Sequence, residues 1–304
     1  MKSRSLMLLV MILTAVGGLA WWLHARTSPG LGREAYEQTA AILEKGPRPP
    51  GSEALDAVRV HVRAELEKAG WVCESQRFER MTPVGKITFE NLRARFPNGG
   101  GDPWTRPVKG LLCAHIDSKF YKDRHFPGAD DAASACAAIV VIGKFLAREK
   151  PEQAANLELV FFDGEEAFGE NITPRDGLYG SRHYANQWRS RDDKPASGIL
   201  LDMIGHENLS VRLPSDTPAL LKDAVLAAAK AEGAEKHFGM APGPIIDDHV
   251  PLNFAGIPTV DIIGDFTRSN WWHKPADNLK IISADSLDIS IRVTLRVLDQ
   301  QLGN

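Results

Sequence analysis

Two adjacent glutamates, Glu165 and Glu166, follow the apolar run at residues 157–162 and the turn glycine Gly164. The run reads as a buried strand, so the pair is delivered to a strand end, the place where functional groups gather in open α/β sheets. Two buried acids repel each other and are costly unless something cationic or proton-sharing lies beside them. A metal ion meets that need. The other strand ends carry donors of the same kind: His115 after residues 108–114, the Asp130-Asp131 pair in a small-residue turn, Asp202 after 198–201, and His273 on the loop after 257–263. Carboxylates and imidazoles without thiolates suit a catalytic zinc better than a structural one. Each residue alone has a plainer reading, since a Glu pair is usually a solvated loop and a lone histidine such as His183 or His206 is usually structural. The joint placement at successive strand ends is what carries the chemistry.

The elements that position these residues follow from periodicity. Helical spacing predicts helices over 35–45, 53–69, 132–148, 218–231 and 284–302, with another opened by residues 177–183. Strands are predicted at 71–78, 87–96, 108–114, 157–163, 198–205 and 257–263, with Asp247-Asp248-His249 on a loop before the last of them. The proline-rich segment 46–52 cannot be helical, and Ser52 is placed to cap the helix after it. Alternating strands and helices predict an α/β fold: one globular domain with a central mixed, mostly parallel twisted sheet flanked by helices on both faces.

Composition sets the boundaries. The 304 residues are 43% hydrophobic and 25% charged, and a net charge of −3 gives no reason to expect a nucleic-acid partner. Lys2 and Arg4 precede an uncharged, largely apolar stretch, residues 5–23, close to the ~20 residues a spanning helix needs. Residues 1–26 are therefore expected to be a signal anchor that holds the rest outside the cytoplasm; the alternative is a signal peptide whose cleavage leaves a secreted or periplasmic protein. Residues 27–34 are expected to be a linker, and 35–304 the catalytic domain. Cys73, Cys113 and Cys136 do not have the spacing of a zinc site.

The chain resembles the animal-type zinc glutaminyl-peptide cyclotransferases, within the zinc aminopeptidase superfamily. The resemblance is carried by residues 47–52, His115-Ile-Asp-Ser-Lys119, 161–168, Leu178-Tyr-Gly-Ser-Arg-His183, Asp247-Asp248-His249-Val-Pro251 and Trp272-His273. It implies one zinc per chain on Asp131, Glu166 and His273, and Glu165 as general acid/base. Asp202 and Asp247 would form a hydrogen-bond network beside it, and Trp272, His115 and Phe168 would meet substrate. The implied reaction converts an N-terminal Gln, and more slowly Glu, of peptides or proteins into pyroglutamate, and the enzyme is expected to be a monomer. The chain departs from the animal pattern in three places. Asn171 stands where a pocket tryptophan is expected, leaving that wall to Trp271 or Phe168; Ile246 replaces a glutamine; and the loop 264–271 is longer. The family disulfide would have to use Cys113, one residue early, and is expected to be absent because neighbouring strand residues face opposite ways. The rival reading is an aminopeptidase with two metals, the second on His115, Asp131 and Asp202, and with Glu165 activating water. A binding ectodomain without catalysis would have lost a ligand or Glu165, and neither is lost.

Overall fold

The Ser52 hydroxyl accepts from Leu55 N at 3.2 Å and starts helix α2 (Glu53–Lys68), directly after the proline bend. The residues described by the computed structural model are 30–97, 99, 101–267 and 269–303, so the expected anchor helix lies outside them. Among the described residues no helix is long and apolar enough to cross a membrane. Helix α1 (Leu31–Leu43) begins four residues before the predicted start, which places residues 31–34 of the predicted linker in its first turn.

The other elements that frame the site are strands β1 (Val72–Thr82), β2 (Gly85–Arg95) and β3 (Gly110–His115), helix α3 (Ala135–Glu149), strand β4 (Leu157–Phe162), helix α4 (Tyr179–Asn186), strands β5 (Ser197–Asp202) and β6 (Val211–Leu213), helix α5 (Ala219–Ala231), strand β7 (Phe238–Met240), helix α6 (His249–Phe254), strand β8 (Thr259–Ile263) and helix α7 (Ala284–Leu302). Six strands form one sheet in the order β1-β2-β4-β3-β5-β8. The hairpin β1–β2 and its junction with β4 are antiparallel, whereas β4, β3, β5 and β8 run parallel. The predicted α/β class and mixed sheet are therefore observed. Two details differ from expectation: β6 and β7 form a separate parallel pair, each too short to show a period, and His249 opens the short helix α6 rather than lying on a loop.

The period-2 alternation of β3 divides the core. Leu112 and Ala114 face a large cluster covered by α1, α2, α3, α5 and α7, while Leu111 and Cys113 face a smaller one with Tyr184, Trp188 and Leu252. Cys136 belongs to the first cluster and Cys113 to the second, so the sheet separates them and both are free thiols. The parallel strands all end on one edge of the sheet. Pairing of His115 with Phe162 and of Asp202 with Ile263 puts the residues after four strand ends side by side.

Buried Arg48, in the Pro47–Pro50 bend, ties that edge together. Its guanidinium donates to the carbonyls of Ile116 at 3.0 Å, Pro127 at 2.7 Å and Gly128 at 2.8 Å, joining the segments after His115 and before Asp131.

Candidate active site

Glu165 and Glu166 owe their position to a tight turn after β4. Gly164 has φ of +73°, and a Cβ there would lie 2.4 Å from the Phe89 ring, so only glycine fits. The Asp117 carboxylate, two residues beyond β3, accepts from the backbone N–H of Gly164 at 2.9 Å, of Glu165 at 3.2 Å and of Glu166 at 3.4 Å. The Asp130-Asp131 turn is held from the far end of the chain: Asp277 accepts from Asp130 N at 2.7 Å and from Asp131 N at 3.3 Å. Asp130 turns away from the site and accepts from Gly205 N at 2.7 Å. Leu178, Met203 and His273 have positive φ without being glycine, a cost of about 1–3 kcal/mol each that characteristically gathers at functional sites.

The side chains converge. His273 Nε2 lies 3.2 Å from Glu166 Oε1 and 3.5 Å from Asp131 Oδ2. The other Asp131 oxygen lies 3.1 Å from His115 Nε2, which is also 3.5 Å from Asp202 Oδ1. Asp131 thus belongs to two trios whose ligand atoms lie within 4.8 Å of one another, Asp131–Glu166–His273 and His115–Asp131–Asp202. The cluster favours positive charge. Although burial opposes a charged imidazole, Asp131 and Glu166 push His273 up to about 9, and Asp117, Asp131 and Asp202 push His115 well above its ordinary value. Glu166 Oε1 and Asp202 Oδ1 are buried and make no hydrogen bond among the described residues. Buried carboxylates with unused oxygens, imidazoles at hydrogen-bonding distance and no thiolate are a donor set that fits a divalent zinc.

Glu165 stands beside the trios. Burial raises its pKa well above the ordinary value; His115 opposes this, and Asp247, Glu166 and Asp248 add to it. Asp202 is raised for the same first reason, and Asp247 is pushed up to about 7 by burial and Asp261. Behind them Asp248 rises to about 8 through burial and the charge on Asp247, so the buried acids all favour their protonated forms more than exposed carboxylates do. Glu165, Glu166, Asp131, Asp202, Asp247, Trp272 and His273 open onto one cleft of about 790 Å³.

Residues 94–298 match the profile of peptidase family M28. Glutaminyl-peptide cyclotransferase-like protein of Mus musculus is 31% identical over 285 residues, covering 84% of this chain and 72% of its own. The chain belongs to the glutaminyl-peptide cyclotransferases of peptidase family M28. Among solved structures, Porphyromonas gingivalis glutaminyl cyclase has a TM-score of 0.78 and 28% identity, covering 89% of this chain and 98% of that one. A Zn-dependent exopeptidase from Parabacteroides distasonis has a TM-score of 0.77 and 25% identity, covering 91% and 99%.

Seen as a cyclotransferase of this family, the chain keeps most of its expected site residues together and moves two. His115 is buried beneath the carboxylates rather than on the cleft wall, because it ends the central strand β3. Phe168 does not line the cleft; it packs toward Tyr179 and Phe120, beside the Phe78–Phe89 stack. Asn171 does line it. Neither expected substitute supplies the aromatic wall, since Trp271 is buried against His206. Phe266, from the loop 264–271, packs on Trp272 with ring centroids 4.7 Å apart and planes tilted by 38°, and lines the cleft.

Sequence reasoning quoted Asp117 and Lys119 in the motif at 115–119 without giving either a role, and it missed Asp277. Asp117 shares the strand-end face of His115 by period 2, a signal that was available. Lys119 donates to Ala167 O at 2.9 Å and lies 3.3 Å from Glu166 Oε2, which leaves the other oxygen of Glu166 toward His273. Nothing in the chain order marks Asp277 as the partner of residues 130 and 131. Asp117→Ala would leave three buried N–H groups without an acceptor and loosen the turn that carries both glutamates. The expected result is a roughly 10–100-fold loss of metal affinity or activity, read from zinc retention and turnover; wild-type values for both would refute this role for Asp117.

Proposed function

We propose that this chain closes the N-terminal glutamine of a peptide or protein onto its own α-amine, forming pyroglutamate and releasing ammonia, with Glu at the same position reacting more slowly and releasing water. The observation that carries this reading is Glu165 beside the Asp131–Glu166–His273 trio at the floor of one cleft, in a chain of this family. Asp131, Glu166 and His273 are the residues that would hold one zinc. When bound there, zinc supplies Lewis acidity toward the γ-carbonyl oxygen of the substrate side chain.

The chain's own residues do the rest. The α-amine of a peptide has a pKa of about 7.7–8.0, so a useful fraction is neutral at physiological pH. As the amine nitrogen bonds to the side-chain carboxamide carbon, Cδ, its proton passes to a Glu165 carboxyl oxygen; as the bond from Cδ to the amide nitrogen breaks, Glu165 gives the proton to that nitrogen, which leaves as ammonia. Burial raises the pKa of Glu165 above the ordinary carboxylate range, which makes it a stronger proton acceptor than an exposed glutamate. Burial favours the protonated forms of Asp202 and Asp247, so they place less negative charge near Glu165 than exposed acids would. Trp272 and Phe266 form the apolar wall that holds the side chain bent toward its amine, which supplies the proximity advantage of a five-membered ring closure.

One specific observation favours a second reading. The His115–Asp131–Asp202 trio offers the donors of a second ion, the arrangement of a two-metal aminopeptidase. Metal content of the purified protein, with ammonia release from a Gln-initiated peptide and amino-acid release from an unblocked one, separates the two. About one zinc, cyclisation and no hydrolysis are expected. About two ions with hydrolysis alone would replace the cyclase reading.

The catalytic domain is further proposed to work as a monomer outside the cytoplasm, on a membrane anchor formed by the apolar segment at residues 5–23. The full chain should then stay with membranes through alkaline extraction. Recovery as a soluble protein lacking that segment would replace the anchor with a cleaved signal.

A further inference from the structure

The cleft is larger than one terminal residue requires. Its 790 Å³ lies within the ~300–1,000 Å³ of cavities that take drug-sized ligands, so the residues following the N-terminal one also fit inside it. Its lining includes the apolar side chains of Met240, Ile245, Ile246 and Phe266. Ile246 is 61% exposed, an apolar side chain at the rim with nothing over it. Most charge in the cleft is negative, and the Lys119 ammonium is committed to Glu166 and the Ala167 carbonyl.

Arg212 is a cation in a different situation. It projects from β6 and lines both the cleft and an adjoining recess of about 340 Å³ beside Met203 and Gly264. Its guanidinium lies over β7 at Gly239, where a Cβ would come within 3.3 Å of Nη1, so the missing side chain makes the seat for it. Nη1 donates to the Val211 carbonyl at 2.8 Å, which fixes one edge of the plane. The nearest acid is Asp265, whose Oδ2 stands 3.9 Å from Nε, a loose pair that leaves room for a second acceptor. Among the described residues, Nη2 makes no hydrogen bond.

We propose that Arg212 is a specificity-determining residue that recognises a carboxylate carried one or two positions beyond the cyclised residue. A fixed guanidinium with an unused donor favours a carboxylate over a neutral amide, and the Met240–Ile246 rim takes the aliphatic stem of the side chain that bears it. The substrate class is then N-terminal Gln peptides with an acidic following residue, or short peptides whose own C-terminal carboxylate lies at that distance. The proposal rests on the cyclotransferase reading for the reaction itself.

The test uses the full chain with three peptides: Gln-Ala-Ala amide, Gln-Glu-Ala amide, and the free-acid dipeptide Gln-Ala. For the wild type, kcat/KM is expected to be about five- to tenfold higher for a carboxylate-bearing peptide than for the neutral one, expressed mainly in KM and weakened by salt, because Arg212 is partly solvent-exposed. In Arg212→Met the ratio should fall to about one, and Arg212→Lys should restore part of it. A preference for Gln-Glu-Ala amide alone identifies a side-chain carboxylate, and one for Gln-Ala alone a terminal carboxylate. Equal ratios in the wild type and in Arg212→Met, with cyclisation intact, overturn the proposal while leaving the reaction standing. Absence of ammonia from all three peptides overturns the reaction and the proposal together. Should Arg212→Met fail to fold, the comparison rests on the wild type and Arg212→Lys, whose ratios should differ by severalfold; identical ratios count against Arg212.

Discussion

Replacing Glu165 with Gln is expected to lower kcat for ammonia release from a Gln-initiated peptide by roughly 10²–10⁴-fold. The amide keeps the size of the side chain and its place on the turn fixed by Asp117, and it removes only the ability to take up and return a proton. Its effect is large because no other group in the cleft is as well suited. Glu166 and Asp131 face His273, and Asp202 faces His115. Burial and the neighbouring acids favour the neutral form of Glu165, so a neutral amide of the same size should not unfold the site. Zinc content and melting temperature should therefore stay close to those of the wild type. A variant that retains both zinc and most of its turnover would remove Glu165 from the proton relay.

Loss of His273 is expected to act through the metal. In His273→Ala, Asp131 Oδ2 and Glu166 Oε1 lose the imidazole that lies between them, and two carboxylates without it face each other across a buried space. Zinc retention should fall to near zero after dialysis against a moderate chelator, with turnover falling in parallel. The wild type should also become less stable when stripped. At free zinc about 1,000-fold above its dissociation constant, the bound ion contributes about 4 kcal/mol, and that contribution should disappear with chelation and return on adding zinc. Asp202→Asn adds a discriminating arm. If one ion is bound, it should leave the stoichiometry unchanged; if two are bound, it should reduce the count by one. A His273→Ala protein with full zinc and activity would place the metal elsewhere.

The two substitutions separate the roles of adjacent positions in the site. Glu165→Gln should affect turnover with the metal retained, and His273→Ala should affect both. The reverse pattern would exchange the two roles.

Much of the site was determined by the sequence alone because its residues sit at strand ends. A buried strand announces itself through an unbroken apolar run, as residues 159–162 do, and the residue that follows such a run must emerge at the sheet edge. Asp131, Glu165, Glu166, Asp202, Asp247 and His273 were placed in this way and through family resemblance, and they do meet in one cleft. The free state of Cys113 and Cys136 was also legible, since one residue of offset on a strand reverses the face. Tertiary structure decided what depends on strand order and on loops. His115 lies beneath the acids because β3 is flanked by β4 and β5, an order that chain sequence does not state. Phe168 turned to the aromatic cluster of the β1–β2 hairpin, and Phe266 took the wall position, because loop length and packing direct a side chain where no period constrains it. Asp277 reaches the Asp131 turn across 146 residues of chain, and Arg212 reaches the cleft only because β6 pairs with β7. Local patterning sets which residues end on an edge; long-range packing sets which of them touch.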